Sequence, residues 1–291
     1  MRADLPAIGF LIILLILAGC TGNPSRSTYS VDTNGVLTLS CAPATTSEQV
    51  LFANETYTRS RIVFHTGNGD VVSYFGAPER PRAAMVYAPG AGEKIAGHEE
   101  RMVRFASTGY AFLFVDTRGN GGETAGIPFS QQLIQQDFVK FGKGEMPQLY
   151  LSVCDLVSAQ KFLSSRYDVP VYAAGSSNGG RYAAVAAGTD PAFAGYIGIS
   201  TSDWGLLDSF RQQGLTSDPV RFAASIEPGT YLAGISPRPV WIYHAKADPV
   251  IPFERGQQLF DKACDPKKFI EFSGDHGINP DVDTRIIEQW A

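Results

Sequence analysis

Positive charge is thinly spread in this sequence. The 24 lysines and arginines are scattered along 291 residues, no basic run forms, and the formal net charge is −5. A nucleic-acid partner needs a basic face to neutralise phosphates, so that class is excluded. Histidine is scarcer still, at four. H-E-x-x-H, C-x-x-C and the Walker phosphate loop are all missing, so neither a metal nor an organic cofactor is expected. Four cysteines are too few for a disulfide-built scaffold. No internal repeat occurs, which removes solenoid architectures. The longest apolar run, Ile8–Ala18, falls short of the roughly 17–25 residues that a bilayer-spanning helix needs.

That run follows Arg2 and has the length of a signal-peptide apolar region; an uncleaved anchor is the alternative. Directly after it, Leu17-Ala18-Gly19-Cys20 resembles the lipobox of prokaryotic lipoprotein precursors. The resemblance implies cleavage after residue 19, with Cys20 as the lipid-bearing first residue of an exported, membrane-tethered chain. A Ser/Thr/Asn/Pro-rich stretch follows, from Thr21 to about Thr46. Such a composition does not build a core, so residues 20–47 are expected to be a flexible tether. Cys41, Cys154 and Cys264 remain, an odd number whose pairing sequence does not assign. Cys154 and Cys264 fall in helical patterns and read as small buried hydrophobes.

Residues 48–291 are expected to form one domain. Arg61–Thr66 and Val71–Phe75 flank Gly67-Asn68-Gly69-Asp70, a hairpin signal. Thereafter apolar strand patterns alternate with helical ones: Ala83–Tyr87, His98–Ser107, Ala111–Val115, the face Leu149, Val153, Leu156, Val157 and Leu163, then Val169–Ala174, Gly180–Gly188, Tyr196–Ser200, Val240–His244, Glu254–Cys264, Lys268–Phe272 and Pro280–Trp290. This order predicts an α/β fold, a mostly parallel sheet with helices on both faces. Two intervals interrupt the alternation, 119–146 and 201–238. Insertions that long in a compact domain usually serve function, often as lids. Asp203–Gln213 and Pro219–Ile226 are the expected helices of a small cap over 201–238.

Gly175-Ser176-Ser177-Asn178-Gly179 fits G-x-S-x-G and lies between an apolar strand and an alanine-rich helix, where a nucleophile elbow belongs. The turn demands small residues two before and two after the serine. Ser177 has glycines at both places and Ser176 does not, which selects Ser177. A serine hydroxyl needs a base, and the base needs an orienting acid. Of the two later histidines, His244 ends a strand, whereas His276 stands in the loop after Lys268–Phe272 and is the expected base. Asp248 follows the preceding strand and is the expected acid, with Asp203 and Asp275 as rivals. The oxyanion needs backbone N–H donors: Asn178, directly after the nucleophile, and Ala91 in Tyr87-Ala88-Pro89-Gly90-Ala91-Gly92, with Gly90 as the alternative.

From about Arg61 to Trp290 the chain resembles the α/β-hydrolase superfamily, nearest in flavour to dienelactone hydrolases and prolyl-peptidase-like enzymes. Besides the elbow, Asp116-Thr117-Arg118-Gly119-Asn120-Gly121-Gly122, Ala245 to Pro252 and Asp275-His276-Gly277 are similar to its D-x-R-G-x-G, acid and histidine loops. The loop Pro89-Gly90-Ala91-Gly92 departs from the family pattern, in which a histidine often precedes the glycine. The resemblance implies a cofactor-free serine hydrolase working through an acyl-enzyme on a small-molecule or peptide-like acyl substrate. A carboxylic ester is the expected substrate; a peptidase of the same fold and a non-catalytic surface binding protein are the alternatives.

Overall fold

The computed structural model describes residues 26–290. A hairpin opens it, β1 (Thr28–Val31) against β2 (Leu37–Ser40). The strands β3 (Thr45–Ala53), β4 (Thr58–Thr66), β5 (Gly69–Ala77) and β6 (Ala83–Ala88) follow, then α1 (Glu99–Ser107) and β7 (Tyr110–Val115). Next come α2 (Gln131–Gly142), α3 (Gln148–Arg166), β8 (Val171–Ser176), α4 (Asn178–Thr189) and β9 (Gly195–Ile199). The interval 201–238 supplies α5 (Leu206–Gln212), α6 (Asp218–Ile226) and α7 (Leu232–Ile235). The chain closes with β10 (Val240–Ala245), α8 (Phe253–Asp261), β11 (Lys267–Phe272) and α9 (Pro280–Trp290).

Nine strands form one sheet in the order β11-β10-β9-β8-β6-β7-β5-β4-β3. The run from β7 to β11 is parallel, and β3, β4 and β5 extend it antiparallel. Strand side chains alternate between faces, and here each face has its own core. On β6 and β7, Ala84, Val86, Ala88, Ala111, Leu113 and Val115 pack under α3 and α4. Their neighbours Met85, Tyr87, Phe112 and Phe114 pack with Met102 and Phe105 of α1 and Val282 and Ile286 of α9. Burying both faces requires the unbroken apolar strands that the sequence displays. Each fully buried large side chain contributes about 1.5–3 kcal/mol against the entropy of ordering the chain.

The amino-terminal expectation needs correction. From Thr28 onward the segment expected to be a tether is ordered structure. Val31 and Leu37 are buried, the Tyr29 ring packs on Phe141 and Tyr150, and the Leu37 N–H donates to Tyr231 Oη at 3.2 Å. A few apolar residues at period two outweigh the polar composition around them, because each meets a prepared surface. Cys41 forms a disulfide with Cys154 of α3, so Cys154 is a crosslink and not a small hydrophobe. Closing a loop with a sequence separation of 113 restricts the unfolded chain by about 4–5 kcal/mol in the chain-entropy model. Cys264 is exposed with a free thiol, contrary to the buried reading. Cys20 and the apolar run before it lie outside the described residues. Among the described residues no helix is long and apolar enough to cross a membrane.

The interval 119–146 contains a helix, α2, started by Ser130, whose hydroxyl accepts the Leu133 N–H. The hairpin between β4 and β5 turns at residues 67–68, tighter than the four-residue signal suggested.

Candidate active site

Parallel strands deliver their loops to one edge of the sheet, and the candidate residues gather there. Ser177 joins β8 to α4 with φ 50° and ψ −120°, a conformation that non-glycine residues seldom adopt. The elbow is held through its backbone: Ser177 N–H donates to the Ile199 carbonyl at 2.9 Å, and the Thr201 side-chain hydroxyl donates to the Ser177 carbonyl at 2.8 Å. A Cβ at Gly175 would lie 2.4 Å from the Gly179 backbone, and one at Gly179 would lie 2.0 Å from the Ala88 carbonyl oxygen. Both positions therefore have to be glycine. The second contact also seats the start of α4 against the end of β6.

Asp248, in the loop after β10, has a fully buried side chain. His276, in the loop after β11, places Nδ1 2.8 Å from Asp248 Oδ2 and 3.0 Å from Oδ1. A carboxylate only accepts, so Nδ1 carries the proton and Nε2 is left as the basic nitrogen. Asp248 Oδ1 also takes the N–H groups of Ile251 and Val250 at 2.8 and 2.9 Å. Burial pushes its carboxyl up, but the Ile251, His276 and Val250 bonds outweigh burial and hold it below the usual carboxylate range. His244 is buried behind this loop, its Nε2 donating to the Ile251 carbonyl at 2.9 Å; burial lowers its pKa. The rivals lie elsewhere. Asp203 accepts the Gly229 N–H and pairs with Lys262, and Asp275 is exposed. Among the described residues the Ser177 hydroxyl makes no side-chain hydrogen bond, so it is not yet joined to His276.

The loop Gly90-Ala91-Gly92 has two of its N–H groups occupied. That of Gly90 donates to Glu93 Oε2 at 2.9 Å and that of Gly92 to Asn120 Oδ1 at 2.8 Å. The Ala91 N–H has no protein partner among the described residues. Asn178 is the first residue of α4, so its N–H has no intrahelical acceptor.

Sequence reasoning did not reach the wall beside the elbow. Arg181, one turn after the serine on α4, is bonded to Asn178 Oδ1 at 3.0 Å and to the Ser202 carbonyl at 2.9 Å. Burial lowers its pKa to about 10. Its guanidinium lies 4.1 Å from the Trp204 ring centroid, and Trp204 stacks on Phe129 with centroids 4.1 Å apart. Phe129 comes from one insertion and Trp204 from the other, so the two intervals that broke the sequence rhythm meet here. Phe129 is 37% exposed. An arginine four residues after the serine was the available signal.

Glu227, at the foot of α6, is buried and accepts the Trp204 N–H at 2.7 Å and the Leu207 N–H at 3.1 Å. Burial, with Asp203 nearby, pushes its carboxyl up to about 7. The fold thus favours the protonated form. That contribution is complete below the unfolded value of 4.5 and is lost as pH rises through about 7, amounting to about 3 kcal/mol. Thermal unfolding at pH 5 and pH 8.5 should show a lower Tm at the higher pH, and Glu227→Gln should remove most of that difference. An equal difference in the variant would contradict the assignment.

A family model described as "Serine aminopeptidase, S33" matches residues 79–212, just under half of the chain. Among solved structures, an acetyl xylan esterase from Paenibacillus sp. R4 superimposes with a TM-score of 0.65 at 17% identity, covering 86% of this chain and 90% of that one. Acetyl xylan esterase 1 from Thermoanaerobacterium sp. JW/SL YS485 gives 0.64 at 13% identity, covering 85% and 88%. A glucuronoyl esterase from Solibacter usitatus gives 0.62 at 11% identity, covering 91% and 88%. Comparison with the curated proteins finds no sequence match. On its sheet order, its strand-to-helix elbow and the matched segment that contains that elbow, the protein is a hydrolase with the α/β-hydrolase fold.

Proposed function

We propose that the protein is a serine hydrolase that cleaves a carboxylic ester through an acyl-enzyme. The observation that carries this reading is the buried Asp248 carboxylate bonded to His276 Nδ1, at the same sheet edge as a serine on a strained elbow. His276 Nε2 takes the proton from Ser177 Oγ as the hydroxyl attacks the ester carbonyl. The gap between them closes when substrate is seated, since such bonds are often long in the empty site. Asp248 fixes the tautomer and stabilises the imidazolium. The Ala91 and Asn178 N–H groups hold the oxyanion. His276 protonates the departing alcohol, and water then releases the acyl group by the same route.

A carbohydrate ester suits the site best. Trp204 is held between Arg181 and Phe129, and the exposed ring of Phe129 at the end of that stack offers a flat apolar surface of the kind on which a sugar ring lies. The acetyl xylan and glucuronoyl esterases named above support the same substrate class. The Cys41–Cys154 disulfide supports export, because such bonds persist in oxidising compartments. With the lipobox-like Leu17–Cys20, it supports a chain tethered to the outer face of a membrane.

The test is a panel: p-nitrophenyl acetate, acetylated xylo-oligosaccharides and aminoacyl p-nitroanilides, with a fluorophosphonate label. Ester turnover, anilide resistance and labelling at Ser177 are expected. Faster anilide than ester cleavage would favour the peptidase reading, and no labelling would favour a binding protein. In cell fractions, Cys20→Ser should move the protein out of the detergent-extracted membrane.

A further inference from the structure

One carboxylate beneath the site has no place in the triad. Glu93 directly follows Gly90-Ala91-Gly92, and its Oε2 collects three donors: the Gly90 N–H at 2.9 Å, Ser176 Oγ at 3.2 Å and His98 Nε2 at 3.2 Å. A methyl group on Gly277 would lie 3.4 Å from Glu93 Oε1, so the same carboxylate also borders the loop that carries His276. It therefore bonds the oxyanion loop and the start of the elbow and borders the loop of His276.

What stands behind Glu93 is a buried chain of charge-assisted bonds. Arg101 Nη1 bonds His98 Nδ1. A guanidinium only donates, so Nδ1 is the acceptor and the His98 proton sits on Nε2, aimed at Glu93. Arg101 Nε donates to Asp283 Oδ1 at 2.7 Å, and its Nη2 donates to the Ile278 carbonyl at 3.1 Å. Arg104 donates to Asp283 Oδ2 at 2.9 Å. His98, Arg101 and Asp283 are 4%, 7% and 1% exposed, so none of these groups is free to turn towards water. Burial raises the Glu93 carboxyl, but the His98, Gly90 and Ser176 bonds outweigh it and the net shift is downward. Asn120 grips the same loop from the opposite side. Its Oδ1 accepts the Gly92 N–H and its Nδ2 donates to the Glu93 carbonyl, both at 2.8 Å.

We infer that Glu93, backed by His98, Arg101 and Asp283 and opposed by Asn120, is a positioning residue that fixes the oxyanion loop. By consuming the N–H groups on either side, the clamp leaves the Ala91 N–H alone pointing free, and it ties that loop to the elbow through Ser176. The inference rests on Ser177 being the nucleophile. A group that only braced the fold would change stability. A group that aims an oxyanion donor changes binding of the tetrahedral state and leaves ground-state binding alone.

The experiment uses the full chain as wild type, Glu93→Ala, Glu93→Gln and Asn120→Ala. It measures kcat and KM on p-nitrophenyl acetate, Ki for phenylboronic acid, and Tm. Removing one oxyanion donor costs about 10²–10³ in kcat in other enzymes, and misaiming it should approach that figure. Glu93→Ala is expected to lose about 100-fold in kcat with KM within about threefold, and to raise Ki by the same factor as kcat falls. Glu93→Gln should recover to within about tenfold, because its amide oxygen can keep all three donors. Asn120→Ala should show the same split in milder form, and it decides the matter if Glu93→Ala does not fold. Wild-type kcat and Ki in a folded Glu93→Ala or Asn120→Ala protein overturn the inference. An inactive wild type that a fluorophosphonate does not label overturns the Ser177 reading and this inference with it.

Discussion

Ser177→Ala should lower ester turnover by about 10⁶-fold, the scale seen when the nucleophile of another triad enzyme is removed, while the protein stays folded. The folding half of this expectation follows from the elbow. Both groups that hold residue 177, its N–H to Ile199 and its carbonyl from Thr201, belong to the backbone and survive the substitution. The hydroxyl itself bonds to no side chain among the described residues, so its loss leaves no orphaned partner. The neighbouring serine behaves in the opposite way. Ser176 is fully buried, accepts from Tyr87 Oη at 3.0 Å and donates to Glu93. Ser176→Ala strands a buried tyrosine hydroxyl, which costs about 1–3 kcal/mol, yet it should retain measurable activity. Turnover of p-nitrophenyl acetate together with Tm for the two variants separates the roles. An active Ser177→Ala beside a dead, folded Ser176→Ala would move the nucleophile by one residue.

The elbow was legible in the sequence because its constraint is local: two glycines must flank one serine, and the surrounding strand and helix announce themselves by period. The acid and the base were legible through topology, since successive parallel strands release their loops at one edge. The β1–β2 hairpin was hidden for a physical reason. Tyr29 and Val31 lie against α2, α3 and α6, and Leu37 against Tyr231 and α4, all more than a hundred residues away, and composition averages such residues into their polar surroundings. Strand β3 was hidden because it is an edge strand exposed along its whole length, so burial imposes no alternation on it. The network of Glu93, His98, Arg101 and Asp283 spans 190 residues of sequence and carries no motif. Only His98 and Arg101, three apart at the start of α1, are neighbours by helical spacing.

Asp248→Asn should be nearly inactive at neutral pH, losing about 10⁴ in kcat by analogy with the same exchange in a serine protease. The geometry here shows why an isosteric change is so costly. Oδ1 of residue 248 must accept the Val250 and Ile251 N–H groups, so in the variant the amide oxygen takes that side. The amide nitrogen is then turned towards His276 Nδ1, donor against donor. The imidazole escapes by moving its proton to Nε2, and that places a hydrogen where the base must receive one from Ser177. The fold survives, because the loop bonds are kept, so activity falls without a matching fall in Tm. Asp203→Asn should lose far less. Its carboxylate serves the Gly229 N–H and Lys262 at the end of α8, and an asparagine oxygen can keep the Gly229 bond. Asp275→Asn should be closer still to wild type, since that side chain is exposed and belongs to no hydrogen bond among the described residues. Measuring kcat for the three variants on one chromogenic ester ranks them, and a folded, inactive Asp203→Asn beside an active Asp248→Asn would transfer the acid to the loop after β9.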